Sequence, residues 1–254
     1  EKFLEFHSKY YHPSNSYIYL YGDVDFAREL AFIDEEYLSH YEKKTVDSKV
    51  AMQEAFKAPE TLKDTYSVSE KEEEGVYLSY NVAAGDSCDN ERGLAMQILD
   101  YALIMAPGAP LKQALIDAGI GTDVYSVLET SVYQPVYSII TKNANESDRD
   151  RFVSVVEDTL SDIVKNGLSK RMVKAGINYY EFKYREANFG RFPKGLMYGL
   201  QMFDSWLYDE NKPFIHIQAN DTFAFLKKQV GTDYFEKIIE KYLLKNPHAT
   251  FVSV

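Results

Sequence analysis

The five histidines are the first residues to test for metal chemistry, because zinc hydrolases hold their metal with imidazoles at short, fixed spacings. A helical zinc site takes two histidines at positions i and i+4, or the inverted motif H-x-x-E-H, with a glutamate as general base. His7 and His12 are five residues apart, and Pro13 ends any helix that carries them. The other three are far apart in the sequence: His40, His216 and His248. We therefore predict no metal ligands and no metal-dependent catalytic residue in this chain.

Cys88 is the next candidate, as a nucleophile. It is the single cysteine, so it forms neither a disulfide within the chain nor a cysteine zinc site. Asp86 and Asp89 flank it, and their negative charges raise a thiol pKa, which disfavours the reactive thiolate. We predict that Cys88 is structural. A lone cysteine also suits a reducing compartment, and we expect a cytoplasmic location.

Other catalytic patterns are missing from the sequence. It contains no G-x-S-x-G nucleophile elbow and no P-loop. Gly119-x-Gly121 follows a predicted helix rather than a strand, which favours a turn over a dinucleotide site. Phe203 and Trp206 have helical spacing, and such aromatic stripes are usually core. The sequence therefore indicates no catalytic residue, and its substrate-binding residues stay unknown.

Composition excludes several classes of partner. The chain has 254 residues, of which 45% are hydrophobic and 26% charged, so it can bury a sizeable core. Its net charge of −11 argues against nucleic acid and anionic membranes, which select for lysine and arginine. The apolar runs fall short of the ~20 residues of a membrane span. A basic peptide remains compatible with the acidic charge.

The spacing of apolar residues predicts the elements that would position any site. Predicted helices cover 2–11, 25–41, a segment from about 89, 111–118, 148–165, 169–187, 195–207, 220–229 and 233–244. Predicted strands cover 17–21, 76–82, 123–130, 135–141 and 249–254. Ser147-x-x-Asp150 has the pattern of a capping box at the start of the helix over 148–165.

Paired strands with helices grouped between them predict an α+β fold, in which an antiparallel-rich sheet packs helices on one face. Residues 43–74 lose the periodicity and end in the charge run Ser69–Glu74, which is typical of a linker. Lys9-Tyr10 before Pro13 and strand 17–21 loosely matches Lys241-Tyr242 before Pro247 and strand 249–254. The chain starts within a helical pattern and ends on a strand, so we expect further residues on each side.

Three stretches carry a resemblance to a known family. Tyr10–Asn15 (YYHPSN) leads into Tyr17–Asp25 (YIYLYGDVD), and Pro110–Leu115 leads into Gly119-Ile120-Gly121. Glu186–Gly190 (EANFG) precedes Pro193–Leu196 (PKGL). Together they resemble the pitrilysin–insulinase family of inverted-motif zinc peptidases, in its presequence-protease-like branch.

The resemblance implies a fold, a division into domains and a function. It implies insulinase-type α/β rolls, with residues 1–42 closing a preceding catalytic domain, 43–74 forming a linker and 75–254 forming a non-catalytic domain. Zinc and its H-x-x-E-H ligands would belong to the parent enzyme. The implied partners are the remaining domains of the same polypeptide and the parent's peptide substrates.

Three functions remain open from the sequence. The first is a chamber-wall or scaffold segment of a zinc metalloendopeptidase that degrades unfolded peptides. The second is a non-enzymatic module of the same fold that binds peptides or serves as a core subunit. The third is an independent hydrolase that uses Cys88 or a carboxylate pair. We expect the isolated chain to be inactive and to bind no cofactor.

Overall fold

In the computed structural model, the strand predicted over 76–82 lies at the centre of a mixed sheet. The strands are Glu60–Lys63 (β1), Val76–Ala83 (β2), Asp123–Glu129 (β3), Val136–Ala144 (β4) and Ala249–Ser253 (β5). Their order in the sheet is β1-β5-β2-β4-β3. The β1–β5 pair is parallel and the other three pairs are antiparallel. The antiparallel-rich α+β sheet is therefore confirmed.

One face of this sheet is buried. Leu78, Tyr80 and Val82 alternate along β2 and are at most 2% exposed, whereas the residues between them are partly exposed. The register places Tyr137 and Ile139 of β4 opposite Val82 and Tyr80, so both strands point their large side chains to the same side. This alternation is the pattern of a sheet with one face packed against the core.

Helices supply the rest of that core. Their bounds are Lys2–Tyr10 (α1), Phe26–Glu36 (α2), Asn90–Asp100 (α3), Pro110–Asp117 (α4), Arg149–Asn166 (α5), Lys170–Glu186 (α6), Lys194–Trp206 (α7), Asn220–Gln229 (α8) and Tyr234–Ile238 (α9). Two of them continue as π-helical turns, α3 through Tyr101–Met105 and α9 through Ile239–Leu244. The predicted apolar face of α3 is confirmed, because Leu94, Ile98 and Ala102 are fully buried.

Gly119 ends α4, as the sequence predicts. Its φ is +65°, and its N–H donates to the Ile116 carbonyl. The N–H of Ile120 donates to the Leu115 carbonyl, and both of these side chains are fully buried. The two hydrogen bonds and the apolar contact form a Schellman motif, which requires a residue that tolerates positive φ.

The structure describes residues 1–68 and 75–254, and these form two units. Unit 1 comprises residues 1–51 and 189–200, and unit 2 comprises residues 52–188 and 201–254. The charge run at 69–74 lies outside the described residues. The domain bounds at 42 and 75 stay a prediction.

Within the described residues, Asn90–Asp117 is the one helical stretch long and apolar enough to cross a membrane by length and composition. However, 67% of its most apolar window is buried inside the protein. Such burial is typical of a core helix.

Three sequence predictions are wrong in detail. Residues 17–21 are extended but pair with no described strand, because strand propensity does not guarantee a neighbour. The capping box at Ser147 does not form, since a 3₁₀ turn over Glu146–Asp148 precedes α5. The helix expected over 25–41 ends at Glu36, with a 3₁₀ turn over Leu38–His40 after it. Separately, Glu60–Lys63, inside the range predicted as a linker, forms β1 of the sheet, and the bounds of that linker stay a prediction.

Candidate functional site

The histidines do not converge. In unit 1, His7 stacks on Tyr11 at 4.5 Å between ring centroids, and the His12 Nδ1 accepts the Ser14 N–H at 3.1 Å. In unit 2, the His248 ring lies edge-on to Phe56 at 4.6 Å. Each of these contacts is typical of a structural histidine.

No metal site is formed in the described ranges 1–68 and 75–254, where no three His, Cys, Asp or Glu side chains group together as ligands. A zinc ion needs three or four such donors in tetrahedral geometry. The described residues therefore assemble no site for the zinc that the family resemblance assigns to the parent enzyme. That the isolated chain binds no zinc in solution stays a prediction.

Cys88 lies in the loop between β2 and α3. Burial raises the pKa of its thiol, and the Asp86 carboxylate raises it further. The acidic neighbour acts in the predicted direction, but burial is the larger cause. A thiol held protonated is a poor nucleophile, which supports the structural role predicted for Cys88.

Arg92, in the first turn of α3, ties this loop to the body of unit 2. Its guanidinium donates to the Asp86 carbonyl at 2.9 Å and to the Tyr242 hydroxyl at 3.1 Å. It also pairs with Asp89 at 3.2 Å. The arrangement fixes the loop at the start of α3 and leaves the guanidinium little freedom to bind a substrate anion.

A small cavity of about 20 Å³ lies beside this loop. Among its lining residues are Ser87 and His216, whose Oγ and Nε2 atoms are buried and have no hydrogen-bond partner among the described residues. Burial lowers the pKa of His216, and a hydrogen bond with the Ser87 main chain acts in the opposite direction. The space suffices for about one water molecule, so the cavity is too small for a peptide.

A larger, open groove of about 580 Å³ lies where α5 ends and α6 begins. The Glu236 carboxylate lines the groove and accepts the Leu168 N–H at 2.8 Å. Lys170 and Asp233 also line it, so charges of both signs face the space. Because charges of both signs line the groove, it does not favour a ligand of either charge.

Asp100 and Asp204 are among the carboxylates of unit 2 whose pKa is raised by burial. Asp100 is 8% exposed and accepts the Tyr137 hydroxyl at 3.0 Å, and burial raises its pKa. Burial, and then the charge of Glu129, raises the pKa of Asp204 to about 6. Neither carboxylate lines the two cavities described above.

Unit 1 contains a different kind of feature, a contact between an extended segment and a helix. The rings of Tyr19 and Tyr21 lie on the first half of α7, directly against Gly199 and Gly195. Tyr21 also meets Tyr198 edge to face at 6.4 Å. The Gly195-x-x-x-Gly199 spacing is visible in the sequence, but no spacing rule connects it with tyrosines so far away in the chain.

The family described as the peptidase M16 inactive domain matches residues 1–180. The chain belongs to this family. The resemblance to inverted-motif zinc peptidases is thereby confirmed, and with it the assignment of this M16 chain to an inactive domain.

Relatives of this M16 inactive domain include protein HypA of Clostridium perfringens, 43% identical over the whole chain. Presequence protease 1 of Arabidopsis thaliana, chloroplastic/mitochondrial, is 31% identical over the whole chain. The chain spans 26% and 24% of these two proteins, about a quarter of their length.

Solved structures share the fold. A protease from Helicobacter pylori superposes with a TM-score of 0.70 and 14% identity, covering 98% of this chain and 57% of that one. A peptidase M16 inactive domain from Pseudomonas fluorescens gives a TM-score of 0.60 and 14% identity, covering 91% of this chain and 52% of that one. The insulinase-type fold is confirmed by these likenesses.

Proposed function

We propose that this chain is a non-catalytic wall and scaffold segment of a larger zinc metalloendopeptidase that degrades unfolded peptides. The observation that carries the proposal is its membership of the M16 inactive-domain family, in a chain whose described residues assemble no zinc ligands. Presequence proteases among the relatives support a peptidase as the parent.

The division of labour follows from general chemistry. Zinc, held by another domain, would activate water, with a glutamate there as the base. The residues of unit 2 contribute a rigid body, because its sheet and helices share one core. A rigid wall raises the rate of a distant reaction by confining and orienting the substrate.

Unit 1 supports docking to other parts of the same polypeptide. Neither α1 nor α2 has a buried residue, although both are amphipathic. Phe3 is 77% exposed, Phe6 57%, Leu30 57% and Phe32 51%. Exposed apolar surface of this kind marks a protein interface, and we assign it to the preceding, catalytic domain of the parent.

The net charge of −11 favours basic peptides as substrates of the parent. Such steering depends on ionic strength, because salt at physiological concentration screens charges beyond about 8 Å. Cleavage of basic peptides by the parent should therefore weaken as salt is raised. Cleavage that is indifferent to salt would remove this part of the proposal.

The first test uses the purified chain. Elemental analysis should find no stoichiometric zinc, and unfolded peptides should remain uncleaved. Bound zinc at one equivalent would overturn the proposal, and cleavage that persists in EDTA would favour an independent hydrolase instead.

The second test supplies the preceding region of the parent as a separate polypeptide. The two should associate and cleave peptides, and Phe3→Ser with Phe6→Ser should weaken association without unfolding unit 2. A preceding region without H-x-x-E-H would favour the non-enzymatic peptide-binding module.

A further inference from the structure

Ser87 and His216 each contribute a buried polar atom to the same small cavity of unit 2. Ser87 is 4% exposed, and its Oγ and the Nε2 of His216 have no hydrogen-bond partner among the described residues. Both residues line the cavity of about 20 Å³ beside the loop between β2 and α3. Burying a polar atom without a hydrogen bond is costly, so such atoms in native proteins are satisfied by protein groups or by ordered water.

The hydrogen bond on the other side of the His216 ring determines the role of Nε2. Burial lowers the pKa of His216, and a main-chain hydrogen bond with Ser87 acts in the opposite direction. A bond that favours the charged ring is made to an acceptor, and the Ser87 N–H already donates to the Tyr133 carbonyl at 2.9 Å. The acceptor is therefore the Ser87 carbonyl, and Nδ1 donates to it because Nε2 has no described partner. In the neutral ring the second nitrogen is then an acceptor, so Nε2 requires a donor.

The Ser87 hydroxyl complements Nε2 but does not reach it directly. A serine hydroxyl donates one proton and accepts through two lone pairs. No hydrogen bond joins Ser87 Oγ to His216 Nε2 in the described structure. A water molecule accepts from one group and donates to the other, provided that the cavity holds it and offers a few polar partners. Thr130 and Asp86 also line the cavity and supply further polar groups.

The other walls of the cavity limit what it can hold. Apolar surface comes from Ala84, Met96, Leu128 and Pro135. The space suffices for about one water-sized molecule. Arg92 lines the cavity together with two aspartates, so charges of both signs surround it and a neutral molecule is favoured over an ion.

We propose that this cavity is a binding site for one buried water molecule, which accepts the Ser87 O–H and donates to His216 Nε2. The bridge joins the loop between β2 and α3 to segment 207–219, which connects α7 and α8. In the described structure this segment forms turns rather than a helix or strand. Its position therefore depends on contacts with the loop, among them the bond from the Lys212 Nζ to the Cys88 carbonyl at 3.4 Å. The water adds a second tie between the same two parts of unit 2.

Replacing Ser87 by alanine tests the bridge through the sign of its effect. If the hydroxyl were unsatisfied, Ser87→Ala would remove a destabilising group and the protein would become more stable. If the hydroxyl holds the water, Ser87→Ala leaves the water and Nε2 short of a partner. We then expect the folding equilibrium constant, measured by urea denaturation, to fall on the order of tenfold. A Ser87→Ala variant as stable as the wild type, or more stable, would overturn the proposal.

Ser253→Ala is the matched control. Ser253 is 2% exposed, and its Oγ is also buried without a described partner. However, it lines neither of the two cavities described above. Its replacement should therefore leave the folding equilibrium unchanged or shift it towards the native state. Equal losses for Ser87→Ala and Ser253→Ala would show that the cost belongs to any buried serine and would contradict the bridge.

Oxygen-17 magnetic relaxation dispersion detects the water itself, because a water held inside a protein exchanges more slowly than one on the surface. Ser87→Val removes the hydroxyl and fills the space with methyl groups, so the amplitude should fall by the contribution of a single long-lived water. The Ser253→Ala variant should keep the wild-type amplitude. An unchanged amplitude in Ser87→Val would overturn the site. Ser87→Ala adds no volume, so its stability decides the question if the larger valine prevents folding.

Discussion

Arg92 fills the space that a side chain at position 85 would need. A Cβ built on Gly85 lies 2.1 Å from the Arg92 Cζ, and the φ of Gly85 is +97°. The glycine therefore serves two purposes: it allows the backbone angle and it admits the guanidinium that fixes the loop before α3. Close approach of another group is one of the few reasons for which a chain requires glycine.

Gly85→Ala should consequently destabilise unit 2 by more than backbone strain alone. The strain of a positive φ costs about 1–3 kcal/mol, and displacing Arg92 adds the loss of its hydrogen bonds to Asp86 and Tyr242. Chemical denaturation followed by circular dichroism measures the sum.

Gly108→Ala is the control for this measurement. Its φ is +72°, and nothing lies within 4 Å of the added Cβ, so it carries the strain without the clash. Equal losses of unfolding free energy for Gly85→Ala and Gly108→Ala would show that Arg92 can move aside without destabilising unit 2.

The sequence alone predicts a helix or strand correctly wherever the spacing of apolar residues determines that element. The apolar stripe Phe152, Val156, Leu160 and Ile163 predicts α5, and all four residues are at most 7% exposed. It was insufficient where a long-range partner decides the outcome. Glu60–Lys63 is exposed along its length and becomes a strand only because Thr250–Ser253 lies beside it.

Dependence on long-range partners also explains two other differences between sequence and structure. One is the strand predicted over 17–21, which does not form, and the other is a cavity that the sequence does not predict. Residues 17–21 have strand propensity but no described strand beside them. Ser87 and His216 meet at one cavity although they are far apart in sequence, and no spacing rule connects them. A single sequence shows what a segment prefers, but only the folded chain shows what it meets.

His216 should make stability fall in mild acid. Its folded pKa lies below the ordinary value of 6.5 because burial disfavours the charged ring. The unfolded chain therefore binds this proton first, and stability decreases as pH falls through 6.5 towards the folded pKa. The charged residues Asp86, Asp89 and Arg92 line the same cavity as His216.

His216→Gln should flatten that part of the curve of unfolding free energy against pH. His40→Gln, at an exposed position, provides the control for replacing a histidine by glutamine. A slope that survives in His216→Gln would mean that another group is responsible.

Asp204 should have the opposite effect over a lower range. Its pKa rises from 3.8 to about 6 in the folded protein, so the native state holds the proton after the unfolded chain has released it. The native state binds more protons between about pH 4 and 6, and stability therefore falls as pH rises through that window. The side chain is half-buried, so solvent screening reduces the size of the effect.

Asp204→Asn should remove this decline and make the protein more stable above pH 6, since the amide carries no charge to bury. Glu210→Gln is a suitable control, because Glu210 is exposed and lies nearby in the sequence. Thermal unfolding of the three proteins between pH 4 and 7 measures the difference. A lower midpoint for Asp204→Asn at pH 7 would show that the charged carboxylate has a stabilising partner, which is the reverse of what burial beside Glu129 implies.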